Sequence, residues 1–122
     1  SKEGNCCHNA KLLQRADGPY IPVIYDFDSS GYVSAPYAET PPDLNLRSVR
    51  QRIYRGFCTE PEVLEKALGE FRLHREALLE LANETRYESK WMARSAVKYI
   101  ESFYTVIDNP KQLSRQITEV CR

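Results

Sequence analysis

The sequence predicts an α+β fold: an N-terminal β-hairpin, a long packed loop, then three α-helices. Three observations carry this prediction. Two short apolar runs flank an Asp-Gly turn near the N-terminus. Proline and glycine then punctuate the stretch up to Cys58. From Thr59 onward, apolar residues recur at three- and four-residue intervals.

The hairpin spans residues 10–25. Leu12 and Leu13 precede the turn signal Ala16-Asp17-Gly18-Pro19, and Tyr20-Ile21-Pro22-Val23-Ile24-Tyr25 follows it. Asp-Gly between apolar runs supplies the positive-φ tolerance that a tight turn needs. Pro22 has no N–H to donate to a ladder, which places its strand at a sheet edge.

The loop covers residues 26–58 and holds Gly31, Pro36, Pro41, Pro42 and Gly56. Loops of this length in compact domains carry function or pack on another element. Within it, Leu46 to Phe57 contains Arg47, Arg50, Arg52 and Arg55. Val49 and Ile53 lie four apart and suggest a short helix. Guanidinium groups suit phosphate, which makes these four arginines candidate phosphate contacts; the plainer reading is a solvated or ion-paired face.

The helices are expected at about 60–82, 90–107 and 110–121. Thr59 with Glu62 makes a capping box, and Pro61 sits where the first turn tolerates it. Leu64, Leu68, Phe71, Leu78 and Leu81 form the first stripe, ending near Asn83. Ser89 caps the second helix, whose stripe is Met92, Ala96, Tyr99, Ile100, Phe103 and Ile107. Asn109-Pro110 opens the third, with Leu113, Ile117 and Val120 inward. Such stripes pack against each other and do not mark a cofactor box. His74 lies among charges and reads as a surface residue. Asn83-Glu84-Thr85 is an acceptor sequon that matters only in a eukaryotic secretory route.

At 122 residues the chain is either a single domain or the C-terminal fragment of a larger protein. Lys plus Arg and Asp plus Glu each number 17, so no net charge draws it to nucleic acid or an anionic membrane. No apolar run approaches the ~18 residues of a membrane span. The N-terminal SKEGNCCHNA has no basic-then-apolar signal pattern.

The four cysteines, Cys6, Cys7, Cys58 and Cys121, fit no zinc spacing. They are disulfide candidates, and an exported protein is the compartment that favours them. Adjacent cysteines seldom bond to each other, so Cys6 and Cys7 are each expected to reach one of Cys58 and Cys121. Reduced thiols in the cytosol, and a Cys7–His8 nucleophile, are the alternatives.

The chemistry concentrates at Asp26-Phe27-Asp28-Ser29-Ser30-Gly31, where an apolar strand ends. Strand residues alternate faces, so Asp26 and Asp28 share one face and suit a hard cation: Mg²⁺, Mn²⁺ or Ca²⁺. An EF-hand register fails at its twelfth position, which is Tyr37 instead of a bidentate Glu. A DxD phosphotransferase strand would need a Rossmann-like series of strands, whereas helices follow here. A kinase-type metal loop needs an Asn before a hairpin and an Asp after it. Asn9 and Asp26 stand in those places. Against all three stands the plain reading, in which the aspartates cap turns.

The stretch from Cys7 to Gly31 resembles the metal-binding region of CotH-type atypical kinases, through His8-Asn9, Ile21-Pro22 and Asp26-Phe27-Asp28. Nearly the whole chain also resembles the C-terminal part of a group of uncharacterised exported bacterial proteins. The shared features are the D-F-D-x-S-G string, the stretch from Arg47 to Cys58, and the final Cys121-Arg122. The resemblance implies that Asn9 and Asp26 are metal ligands and Asp28 a second ligand or orienting group. The cation would be Mg²⁺ or Mn²⁺, with Ca²⁺ less suited, and ATP would bind only with an N-terminal lobe. The expected partner is the N-terminal remainder of the same protein, and phosphotransfer belongs only to that longer protein. There is no glycine-rich nucleotide loop in the sequence. The alternative is a non-enzymatic, disulfide-stabilised interaction domain whose Pro-rich loop and tyrosines bind a protein partner.

Overall fold

The computed structural model describes residues 10–14, 16–18 and 20–122 and has the α+β class expected. The chain divides into two compact units, residues 1–49 and 50–122.

In the first unit, β1 (Ala10–Gln14) pairs antiparallel with β2 (Tyr20–Ile24). The register sets Ala10 opposite Ile24 and Leu12 opposite Pro22. With two strands, each is an edge, which is where Pro22 is tolerated. Residues 26–49 run through successive turns, such as Ser30 N–H to Phe27 O (2.9 Å) and Ala38 N–H to Ala35 O (3.0 Å). Ser34 takes a left-handed φ of 52°, held by its N–H donating to Ser30 O at 2.8 Å.

The second unit is helical: α1 (Pro61–Leu73), α2 (Arg75–Glu84), α3 (Lys90–Ile107) and the single turn α4 (Pro110–Leu113). A π-helical turn, Ser114–Thr118, follows α4. The bounds of α3 and its Ser89 cap are as expected, with Ser89 Oγ accepting from Met92 N–H at 3.2 Å. Asn109 Oδ1 likewise accepts from Lys111 and Gln112 N–H at 3.0 and 3.1 Å.

Four local expectations are corrected. The helix expected over 60–82 breaks at His74. Tyr104 Oη donates to Phe71 O at 2.8 Å, the carbonyl that an uninterrupted helix would pair with Arg75 N–H. Arg72 and Arg75 meanwhile both turn to Asp108, at 3.2 and 2.7 Å. The N-cap of α1 is Glu60, with no side-chain cap bond, so the Thr59 capping box does not form; Pro61 at the start needs no N–H partner. Residues 51–60 are not a helix, because an extended course lets Arg50 and Arg52 both reach α3. The last helix is one α-turn and one π-turn, closed by Glu119 N–H to Ser114 O at 2.9 Å.

The core is Leu68, Tyr104 and Ile107, with Leu64, Ile100, Phe103 and Leu113 packed on it. Tyr104 is 0% exposed. Phe103 meets Phe71 edge-on at a centroid distance of 5.1 Å. Among the described residues no helix is long and apolar enough to cross a membrane.

Candidate functional site

β2 ends at Ile24, and the chain leaves the ribbon through Tyr25 into the two carboxylates. Asp28 N–H lies 3.4 Å from Asp26 Oδ1, an Asx-turn contact that folds the second aspartate back towards the first. Tyr37 Oη donates to Asp28 Oδ2 at 3.3 Å. Ser30 Oγ accepts from Val33 N–H at 3.3 Å and fixes the next turn. The cap reading of the sequence is therefore realised here, and the carboxylates still stand together on the surface.

The Asp28 carboxyl is held below its ordinary value, first by its hydrogen bond with the Asp26 carboxyl, then by the Ser29 N–H. Slight desolvation opposes this, and the Ser29 and Tyr37 hydroxyls add to the lowering. The Asp28 charge in turn pushes the Tyr37 phenol up, with a smaller contribution from Asp26. Asp28 is thus an anion at neutral pH beside a phenol that keeps its proton. Two hard oxygen donors at one turn are a chemical fit for Mg²⁺ or Mn²⁺, though a pair alone fills only part of a coordination shell. Among the described residues, no three His, Cys, Asp or Glu side chains gather into a metal-binding group. Asn9, expected as a ligand together with Asp26, lies outside the described residues, as do Cys6, Cys7 and His8. Its neighbour in sequence, Ala10, pairs with Ile24, two positions before Asp26.

The candidate phosphate-binding arginines have different surroundings. Arg47 belongs to the first unit, and Arg50, Arg52 and Arg55 to the second. Arg50 Nη2 donates to Ser95 O at 2.9 Å. Arg52 donates to Ser102 Oγ at 2.7 Å and to Tyr99 O, with its guanidinium 3.7 Å from the Tyr99 ring centroid. Burial lowers the pKa of the Arg52 guanidinium. Both arginines therefore strap residues 50–58 onto α3. At Arg55 the carbonyl enters the network, accepting from Arg122 Nε and Nη2 at 3.2 and 2.7 Å.

Cys58 and Cys121 form a disulfide with each other, Cα to Cα 4.9 Å, which overturns the expectation that each would pair with Cys6 or Cys7. The tail explains why. Arg122 N–H donates to Gly56 O at 3.1 Å and Cys58 N–H to Arg122 O at 3.0 Å, which brings the two cysteines side by side. A Cβ at Gly56 would meet the far end of the Tyr54 side chain, so a larger residue there requires the Tyr54 ring to move.

Sequence reasoning missed Tyr104, the most buried of the described residues. Its signal was the spacing Ala96, Ile100, Tyr104, Ile107 on one helical face, masked by a polar hydroxyl. It also missed the large apolar exposure of the hairpin. Leu12 is 68% exposed and Ile24 56%, and Leu13, Tyr20 and Val23 are exposed with them. No protein-family model, curated protein or solved structure matches the chain.

Proposed function

We propose that the Asp26–Asp28 turn binds a hard divalent cation, Mg²⁺ or Mn²⁺ in preference to Ca²⁺. The protein would be exported and related to CotH-type kinases, and this portion would be inactive alone. One observation carries the reading: two carboxylates stand together at the exit of β2, joined by the Asp28 N–H to Asp26 Oδ1 contact, and the Asp28 carboxyl is held below its ordinary value, first by Asp26 and then by the Ser29 N–H. Asn9 completes the proposed ligand set, by resemblance to the kinase order of Asn, hairpin and Asp. When bound, the cation would neutralise nucleotide phosphate charge in a longer protein that supplied a nucleotide-binding lobe. The residues of this chain would hold and orient that cation. Of the four arginines proposed as phosphate contacts, Arg47, Arg50, Arg52 and Arg55, two already bind α3, Arg50 and Arg52. The Cys58–Cys121 disulfide supports an oxidising compartment.

Melting curves with and without each cation test this reading. A specific site raises the melting point by mass action, with Mg²⁺ and Mn²⁺ ahead of Ca²⁺, and Asp26→Asn removes the rise. Equal curves with and without cation in the wild-type chain would sink the cation site.

A second reading, a disulfide-stabilised interaction domain, is favoured by the uncovered apolar hairpin. Its apolar residues are consecutive from Tyr20 to Tyr25, so they occupy both faces of the ribbon. In this reading, as in the kinase reading, further polypeptide covers those faces. Cation-independent protein binding that Leu12→Ser and Ile24→Ser abolish would favour the interaction domain.

A further inference from the structure

We propose that the Cys58–Cys121 bond is a site of thiol–disulfide exchange: a dithiol opens it, and the tail from Ser114 to Arg122 is released while the helical core stays folded. Four observations lead there. First, Cys58 is exposed and Cys121 only half-buried, so an attacking thiolate has access on the Cys58 side. Second, the buried residues of the described chain, Leu68, Ala82, Ala96, Tyr104 and Ile107, all precede the tail in sequence, so none of them belongs to the released segment. Third, a groove of about 490 Å³ lies beside the bond, lined by Tyr54, Phe57, Leu64, Leu113 and Ile117, with both cysteines in its wall. Fourth, Cys121 Sγ lies 3.3 Å from Thr118 O. A bridged sulfur has no proton for that oxygen, whereas a Cys121 thiol would donate to it, so the reduced form gains a hydrogen bond already in place.

The exchange balances without any other reagent. One sulfur of the dithiol attacks Cys58 Sγ as a thiolate, the Cys58–Cys121 bond breaks, and a mixed disulfide forms at Cys58. Cys121 leaves as a thiolate and takes up the proton that the attacking thiol gave to water. The second thiol of the reagent then attacks the mixed disulfide and expels the Cys58 thiolate, which is protonated in turn. The reagent becomes a cyclic disulfide and the protein holds two thiols; two electrons have moved to the protein. The Arg122 hydrogen bonds to Arg55, Gly56 and Cys58 remain available, so the clasp recloses without the covalent bond and opens reversibly.

The test uses the full chain carrying Cys6→Ser and Cys7→Ser, with dithiothreitol as the dithiol and no denaturant. The expected result is alkylation of both Cys58 and Cys121 with the helical circular dichroism reduced by no more than the Ser114–Thr118 turn contributes. Amide exchange should rise roughly tenfold or more across 114–122 and 55–58, and stay unchanged at Leu68 and Tyr104. Two results would overturn the proposal. One is a bond that resists dithiothreitol until denaturant is added. The other is loss of the helical signal as the bond opens, which makes it a structural staple only. The Cys58→Ser/Cys121→Ser variant must behave as the reduced protein does, and failure of that variant to fold also counts against the proposal.

Discussion

The two units spend similar apolar residues in opposite ways. In the second, Leu68, Tyr104 and Ile107 converge from α1 and α3 and vanish from solvent. In the first, Leu12, Leu13, Tyr20, Val23 and Ile24 remain exposed on a two-stranded ribbon. The difference lies in period. A stripe at 3.6-residue spacing gathers on one helical face and finds another helix. Consecutive apolar residues in a strand alternate between two faces, and a lone hairpin cannot cover both. The hairpin therefore has the composition of a buried element, and the carboxylate turn lies directly after it.

The largest test of this contrast is a pair of truncations. Tyr104→Ala removes a fully buried ring and should cost the helical unit about 3–5 kcal/mol. Leu12→Ser, at an exposed position, should stay within about 0.5 kcal/mol. Denaturant melts followed by circular dichroism read both; a Leu12 effect as large as that of Tyr104 would mean that the hairpin is already covered.

A smaller effect distinguishes the arginines. Arg52→Ala loses two hydrogen bonds to α3 and its stacking on Tyr99, for about 1 kcal/mol. Arg55→Ala keeps its carbonyl bonds to Arg122 and should change stability by less than about 0.5 kcal/mol. The same melts compare them, and equal losses would contradict the strap.

The smallest effect is electrostatic. The folded pKa of Asp28 lies below its ordinary 3.8, so the stabilisation it contributes is present above that value and is lost as pH falls through the folded pKa. Tyr37→Phe removes one of the hydrogen bonds to the carboxylate and should move that pKa part of the way back up. A carboxyl NMR titration of the two proteins checks the direction; no change would remove Tyr37 from the turn.

Much of this was legible in the residues. Ser89 and Asn109-Pro110 marked helix starts because capping is a local transaction between a side chain and the next backbone N–H groups. The Asp26–Asp28 turn was legible for the same reason. What stayed hidden depends on distant partners. The break at His74 follows from Tyr104 bonding to Phe71 O and from Asp108 holding Arg72 and Arg75. Arg50 and Arg52 strap α3 only because residues 50–58 run beside it, and Cys58 meets Cys121 only because Arg122 docks on Arg55 and Gly56. None of these pairings has a sequence spacing that announces it.

The central claim is that the carboxylate turn binds a divalent cation. Mn²⁺ titration followed by amide NMR tests it most directly, because a paramagnetic ion broadens only its neighbours. The account predicts saturable broadening centred on residues 26–31 and Tyr37, reversed by excess Mg²⁺ and abolished by Asp26→Asn with Asp28→Asn. Broadening that fails to saturate, or that centres on acidic side chains elsewhere in the chain, would contradict it.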